Sequence, residues 1–248
     1  MYKRQIHIDI DPAEIGKNIG ADLPLVGDAK LVLQQMTELA KPMKHDEWIA
    51  HIKTLGGERK YVEPAKGTVN PRVFIDRLAK KMPANVTVVA DVGQNQIWTC
   101  TEYKFRKEGR LLTSGGMGTM GYSVPAAIGA KMADNSRATV AICGDGAFQM
   151  SFMELATAVQ FGVDIKVVVM TNNRLGMVRE LQTNGYHDRQ TAVFLDGSPD
   201  FIKLAEAYGI PAMRVYDDDT MEKGVEMLAE HKGICLVEVV VDKDMPTL

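Results

Sequence analysis

The sequence is short of everything that would point to a stapled, metal-clipped or membrane-bound fold. Its cysteines are only three, Cys100, Cys143 and Cys235, far apart and with no CxxC pair. That excludes a disulfide framework and reads as free thiols in a reducing cytoplasm. The five histidines do not cluster with them, which argues against a structural zinc site. No apolar run approaches the roughly 20 residues that span a bilayer, and no signal peptide opens the chain. An excess of one charge is lacking as well. The 29 basic and 32 acidic residues leave −3 at pH 7, so no nucleic-acid surface is indicated. What remains, 46% hydrophobic and 25% charged over 248 residues, is a globular composition with room for one large domain or a domain plus a fragment.

The informative stretch runs from Gly144 to Gly176. Ala138 to Cys143 is a short β-branched run of buried-strand type, and Ile165 to Met170 is a second. Between them Phe148, Phe152, Leu155, Ala156 and Val159 recur at helical spacing, which predicts one helix. Asp145 and Asn172 then fall just past the two strand ends of a βαβ unit, the edge where open α/β sheets bind ligands. An anionic oxygen from Asp145 and an amide oxygen from Asn172 suit magnesium. The glycines beside Asp145 let backbone N–H groups approach an anion. An Asp-Gly turn alone would be ordinary. Joined to Asn172-Asn173, 27 positions after Asp145, it suits a Mg²⁺-bridged diphosphate.

Taken in order, the chain opens abruptly. Ile6 to Asp11 alternates like a strand with five residues before it, so a fragment of a longer protein is expected. Asp11 to Gly16 reads as a turn and Leu23 to Val26 as an extended piece. Asp28 caps a helix to about Ala40, and His45 to Leu55 reads as a linking helix. This divides the chain into 1–45, the end of one domain, a linker over 46–66, and a second domain over 67–248. In the second domain Asn70-Pro71 starts a helix whose buried stripe is Phe74, Leu78 and Met82. A strand over 86–90, a helix containing Trp98, a strand at 111–113 and a small-residue helix over 124–132 lead to the central unit. An irregular polar stretch, Thr183 to Ser198, follows it. Helix 200–208, strand 213–215, helix 220–231 and strand 234–241 close the chain. The alternation implies an α/β fold with a parallel, doubly wound sheet.

Gly116 to Gly121 matches GxGxxG, the dinucleotide fingerprint. Its acidic partner should follow the next strand, yet Asp134 stands before it, so these glycines read better as a flat bed for a ring. Gly144-Asp145-Gly146 with Asn172-Asn173 resembles the thiamine-diphosphate signature. With Gly93 to Trp98, Thr113 to Gly121 and Asn172 to Val178, nearly the whole chain resembles the catalytic large subunits of acetolactate synthase (acetohydroxyacid synthase). Residues 6–40 look like the end of that family's middle domain and 64–248 like its diphosphate-binding domain; no stretch of these residues is expected to correspond to its N-terminal pyrimidine-binding domain.

The resemblance implies a set of roles. Asp145, Asn172 and the carbonyl of Arg174 would hold Mg²⁺. Gly93, Gln94, Asn95, Gly146, Ala147, Leu175 and Gly176 would surround the diphosphate of thiamine diphosphate. Gly118 would accept from the aminopyrimidine through its carbonyl, and Met120 would wedge beneath the two rings to bend the cofactor. Met177, Val178 and Leu181 would face the 2-oxoacid substrates; Leu181 stands where many members carry tryptophan, so acceptor choice is open. Asn95 in place of histidine and Ala147 in place of serine are further departures. Asp9, Ile10 and Asp28 fall in the family's flavin-binding stretch, implying FAD.

The implied reaction joins two 2-oxoacids with loss of CO₂, giving 2-acetolactate or 2-aceto-2-hydroxybutanoate for branched-chain amino-acid synthesis. A homodimer or larger assembly with a small regulatory subunit is implied too. The activating glutamate would come from the pyrimidine-binding domain of the other subunit, so this chain by itself should hold half a site. A pyruvate oxidase or a 2-oxoacid decarboxylase shares the cofactor motifs; a nicotinamide-dependent dehydrogenase is the rival of another class.

Overall fold

The computed structural model describes residues 4–55 and 61–247. The chain divides into two compact units, Met1–Arg59 and Lys60–Leu248.

In the first unit β1 (Ile6–Asp9) pairs in parallel with β2 (Leu23–Val26), Ile6 opposite Leu23 and Asp9 opposite Val26. Turns over residues 12–16 connect them. The Asp28 carboxylate accepts the Leu31 N–H and starts α1 (Ala29–Leu39), as a capping aspartate should. Next comes α2 (Asp46–Leu55), with Asp46 and Glu47 at its positive end. No described residue of this unit is buried. Gly56-Gly57, expected in the linker, lies outside the described residues. Tyr61, expected there as well, groups with the second unit, where its hydroxyl donates to Glu102 at 3.2 Å and Arg72 stacks on its ring.

The second unit holds a six-stranded, all-parallel sheet in the order β4-β3-β5-β6-β8-β7. Its elements are α3 (Pro71–Lys81), β3 (Thr87–Ala90), α4 (Gln94–Glu102), β4 (Arg110–Thr113), α5 (Ser123–Ala133), β5 (Thr139–Gly144) and α6 (Asp145–Gln149). After a 3₁₀ turn (Phe152–Glu154) come α7 (Leu155–Gln160), β6 (Lys166–Thr171), α8 (Gly176–Gly185), α9 (Phe201–Ala207), β7 (Ala212–Val215), α10 (Asp218–Glu230) and β8 (Cys235–Val240). Alternate strand residues feed two apolar clusters, one per face. Val88, Ile142, Val168 and Val237 pack with Phe74 and Leu78 of α3 and Leu228 of α10. Val89, Ala141, Val167 and Leu236 pack with Ala127 of α5, Phe148 of α6 and Phe201 of α9. A sheet covered on both faces has strands that are apolar throughout rather than alternating, and β3 and β6 are buried along their whole length. The doubly wound expectation is met. The chain leaves β3 outward to β4 and returns past it to β5, so a crevice opens beyond the carboxyl ends of β3 and β5.

Two local expectations are corrected. The single helix read from Phe148 to Val159 is broken after Gln149, and the 3₁₀ turn resets its phase. Ala158 therefore faces the core, while Ala156 and Val159 are exposed. The irregular stretch also begins later than Thr183: α8 continues to Gly185 and stops where His187 and Asp188 take positive φ, 55° and 58°.

Candidate functional site

Asp145 is the first residue past β5 and only 1% exposed. One carboxylate oxygen accepts the Gly146 N–H at 2.8 Å; the other accepts the N–H of Asn173 at 2.7 Å and of Asn172 at 3.2 Å. Burial lifts its pKa to about 6, and these backbone donors oppose the rise. Among the described residues no basic side chain pairs with it. The result is a buried carboxylate held by backbone N–H groups.

Asn172 follows β6 in the same way. Its side-chain oxygen accepts the Arg174 N–H at 3.1 Å, and its amide donates to Gln94 Oε1 at 3.2 Å. Asn173 adopts φ 54°, which asparagine tolerates better than most residues, and this turns the chain into α8. Gln94 is fully engaged. Its amide donates to the Met245 carbonyl at 2.9 Å, to Thr247 at 3.1 Å and to Glu180 at 3.3 Å. A Cβ at Gly176 would stand 2.6 Å from the Gln94 Cδ, so a side chain there would force Gln94 to shift. Asn95 donates to the carbonyls of Asp91 at 2.9 Å and Ile142 at 3.2 Å, lacing α4 to the ends of β3 and β5.

These elements enclose a cavity of about 120 Å³. Thirteen of the residues given a site role from the sequence border it: Gly93, Gln94 and Asn95 from the turn into α4, Met120, Asp145, Gly146 and Ala147, Asn172, and the run Arg174 to Val178. Met120 reaches across it, its Cε 3.4 Å from where a Cβ on Gly146 would stand. Gly118 and Leu181 do not border the cavity. Gly118 lies on an exposed turn at φ 62°, and Leu181 is 61% exposed on α8. In the first unit Ile10 is exposed, Asp9 accepts the Asp11 N–H, and Asp28 is occupied as a helix cap.

Sequence reasoning gave no site role to Trp98, Met170 and Val241, which add apolar wall to the cavity. It gave none to Asp91 either, which is fully buried directly past β3. The signal was present, since Asp91 follows its strand as Asp145 follows β5. Among the described residues no group of three or more histidine, cysteine, aspartate or glutamate side chains could hold a metal, and no helix is long and apolar enough to cross a membrane.

Residues 91–239 match the family described as thiamine pyrophosphate enzyme, C-terminal TPP binding domain, and residues 2–36 match its central domain. The acetolactate synthase large subunit of Lactococcus lactis is 36% identical over 96% of this chain and 41% of its own length. A probable acetolactate synthase large subunit of Methanocaldococcus jannaschii is 38% identical over 96% and 42%. The acetolactate synthase isozyme 3 large subunit of Escherichia coli is 36% identical over 96% and 43%. The chain thus spans about two fifths of the length of these curated relatives. With a family match across most of the six-stranded unit, and Asp145, Asn172 and the glycine turns gathered at the ends of its strands, the chain belongs to the thiamine pyrophosphate enzymes.

Proposed function

We propose that this chain is the cofactor-binding part of an acetolactate synthase catalytic subunit, acting with Mg²⁺ on 2-oxoacids. The observation that carries the cofactor half of this reading is the buried Asp145 carboxylate beside Asn172 in a glycine-bordered cavity. The residues fit magnesium. One carboxylate, one amide oxygen and the Arg174 carbonyl leave room for phosphate and water oxygens, the mixed shell this ion favours. They fit a diphosphate as well: Gly93 and Gly146 let the backbone come close, and Ala147 offers only its N–H. Gln94 fits differently from the expected contact, because its side chain is spent orienting Asn172 and the end of the chain.

Thiamine diphosphate, when bound, would supply a nucleophilic carbon to add to the 2-oxoacid carbonyl and a cationic ring to accept the electron pair left as CO₂ departs. The chain's own residues have simpler tasks. Asp145 and Asn172 would hold the metal, the backbone at Gly93 and in the first turn of α6 at Gly146 would hold the phosphates, and Met120 would support the rings. Met177 and Val178, at the start of α8, line the substrate side; Val178 is exposed, so keeping water from it falls to a covering polypeptide. Leu181 selects the acceptor in this proposal only if another polypeptide covers it, since it is exposed.

The names of the relatives support the synthase over a pyruvate oxidase or a decarboxylase, and family membership displaces the nicotinamide reading of Gly116 to Gly121. A small regulatory subunit, self-association, a cytoplasmic location and FAD contact at Asp9, Ile10 and Asp28 belong to the same proposal, on resemblance to those large subunits. Product analysis tests it. With pyruvate, thiamine diphosphate, Mg²⁺ and a polypeptide supplying the pyrimidine-binding domain, 2-acetolactate is expected. Acetaldehyde in its place would identify a decarboxylase, and hydrogen peroxide an oxidase.

A further inference from the structure

Asp91 carries a buried carboxylate that the proposed mechanism does not use. It is fully buried, and among the described residues no basic side chain pairs with it. Backbone donors take the place of a cation. Oδ1 accepts the Val92 N–H at 2.9 Å and the Gly121 N–H at 3.0 Å, and Oδ2 accepts the Ser123 N–H at 2.8 Å. Ser123 is the first residue of α5, and Tyr122 at its N-cap makes no side-chain cap bond. A carboxylate from 32 positions earlier therefore caps this helix, where anions are favoured.

The main chain of Asp91 is tied down as well. Its N–H donates to Ile142 at 2.8 Å, and its carbonyl accepts from Asn95 at 2.9 Å. Gly121, by contrast, is in the left-handed region at φ 84° and ends a glycine-rich turn. The other polar ties within that turn, Gly118 to the Ser114 carbonyl and Thr119 to the Ser114 hydroxyl, join exposed residues of the turn to its own base. Met120 sits between the exposed turn and the Asp91 anchor, and its side chain borders the cavity.

We infer that Asp91 is a positioning residue: its carboxylate pins Gly121 and Ser123 to the end of β3 and so holds Met120 at the height a cofactor ring needs. The inference rests on the thiamine-diphosphate reading for the ligand, but the anchoring itself does not. Asp91→Asn keeps the shape, yet it turns an N–H₂ toward one of the backbone donors. Losing a hydrogen bond to a charged group corresponds to about tenfold or more in an equilibrium. That loss should appear only for a ligand that touches Met120.

The test measures binding by calorimetry in the purified chain, using Mg²⁺ with thiamine diphosphate and Mg²⁺ with inorganic diphosphate. Asp91→Asn is expected to weaken thiamine diphosphate about tenfold while diphosphate affinity stays within about twofold. In the Met120→Ala background the same change is expected to add little, because both act through one side chain. Equal losses for both ligands, or full additivity, would overturn the inference. Amide exchange in the ligand-free chain is the second measurement: faster exchange at Gly121 and Ser123 with unchanged Gly146 and Asn173 is expected, and unchanged Gly121 overturns it. If Asp91→Asn does not fold, Asp91→Ser is read the same way. Failure of the unaltered chain to bind thiamine diphosphate even with a polypeptide supplying the pyrimidine-binding domain strikes the functional reading instead, and the exchange result still decides the anchoring.

Discussion

At the scale of single residues, the site is set by what Asp145 is denied. Its carboxyl is raised from 3.8 to about 6 chiefly by burial. The folded, ligand-free protein thus holds that proton more tightly than the unfolded chain does. The stability this lends is complete below the unfolded value and is lost as pH rises through about 6, roughly 3 kcal/mol at most. Mg²⁺ needs the ionised form, so the two effects oppose one another. Thermal shifts produced by Mg²⁺ and thiamine diphosphate should be small at pH 5, grow through pH 6 and level off above pH 7. A shift independent of pH would show that Asp145 is not a ligand. Gly176 offers a second test. Gly176→Ala drives a methyl into Gln94, whose amide is already committed to Met245, Thr247 and Asn172, and overpacking of this kind costs about 1–3 kcal/mol. Urea unfolding of the ligand-free chain measures it; a cost below about 0.5 kcal/mol would mean that Gln94 moves aside freely. Asp145, Asn172 and the glycines were legible because their chemistry is written locally. Asp91 was harder to read, because its partners lie 30 and 32 positions away and only the folded turn brings them to it.

Among the elements, legibility followed the caps. Asn70 followed by Pro71 marks the start of α3 at the expected place, with the Asn70 side chain accepting from Arg72 and Val73. The break between α6 and α7 carries no such mark. Phe148, Phe152 and Leu155 keep an apolar spacing that a continuous helix would also show, and only contact with the sheet decides that Ala158 turns inward. The end of α8 was obscured for another reason: Thr183 to Gly185 look like loop residues, yet the α8 backbone runs through them and the Tyr186 N–H closes on Gln182. The start of α10 gives a clean prediction at this scale. Asp217 and Thr220 form a reciprocal capping box, and α10 packs Met221, Val225 and Leu228 into the core. Asp217→Ala should lower unfolding free energy by about 1 kcal/mol. Chemical denaturation checks this, and cofactor affinity should not change, because Asp217 does not border the cavity.

For the molecule as a whole, the parallel sheet was readable from the alternation of apolar runs and helical stripes, since strands covered on both faces have little freedom of composition. The order of strands was not, because crossovers leave no trace in sequence; it is the order that places the ends of β3, β5 and β6 side by side and brings residues from 92 to 241 around one cavity. The two units differ sharply in burial. The second has a core on each sheet face, whereas none of the described residues of the first is buried. Limited proteolysis should therefore cut within residues 4–55 first and leave the 61–247 unit intact, and protection of that unit by thiamine diphosphate should require Mg²⁺. The central claim is that Asp145 makes a magnesium-dependent diphosphate site. It is tested most directly by titrating thiamine diphosphate into the Trp48→Phe chain, where Trp98 at the cavity wall is the one remaining tryptophan. Saturable change in Trp98 fluorescence is expected with Mg²⁺ present, none with Mg²⁺ chelated, and none in Asp145→Ala under either condition. Binding of equal strength in Asp145→Ala, or without the metal, would contradict the account.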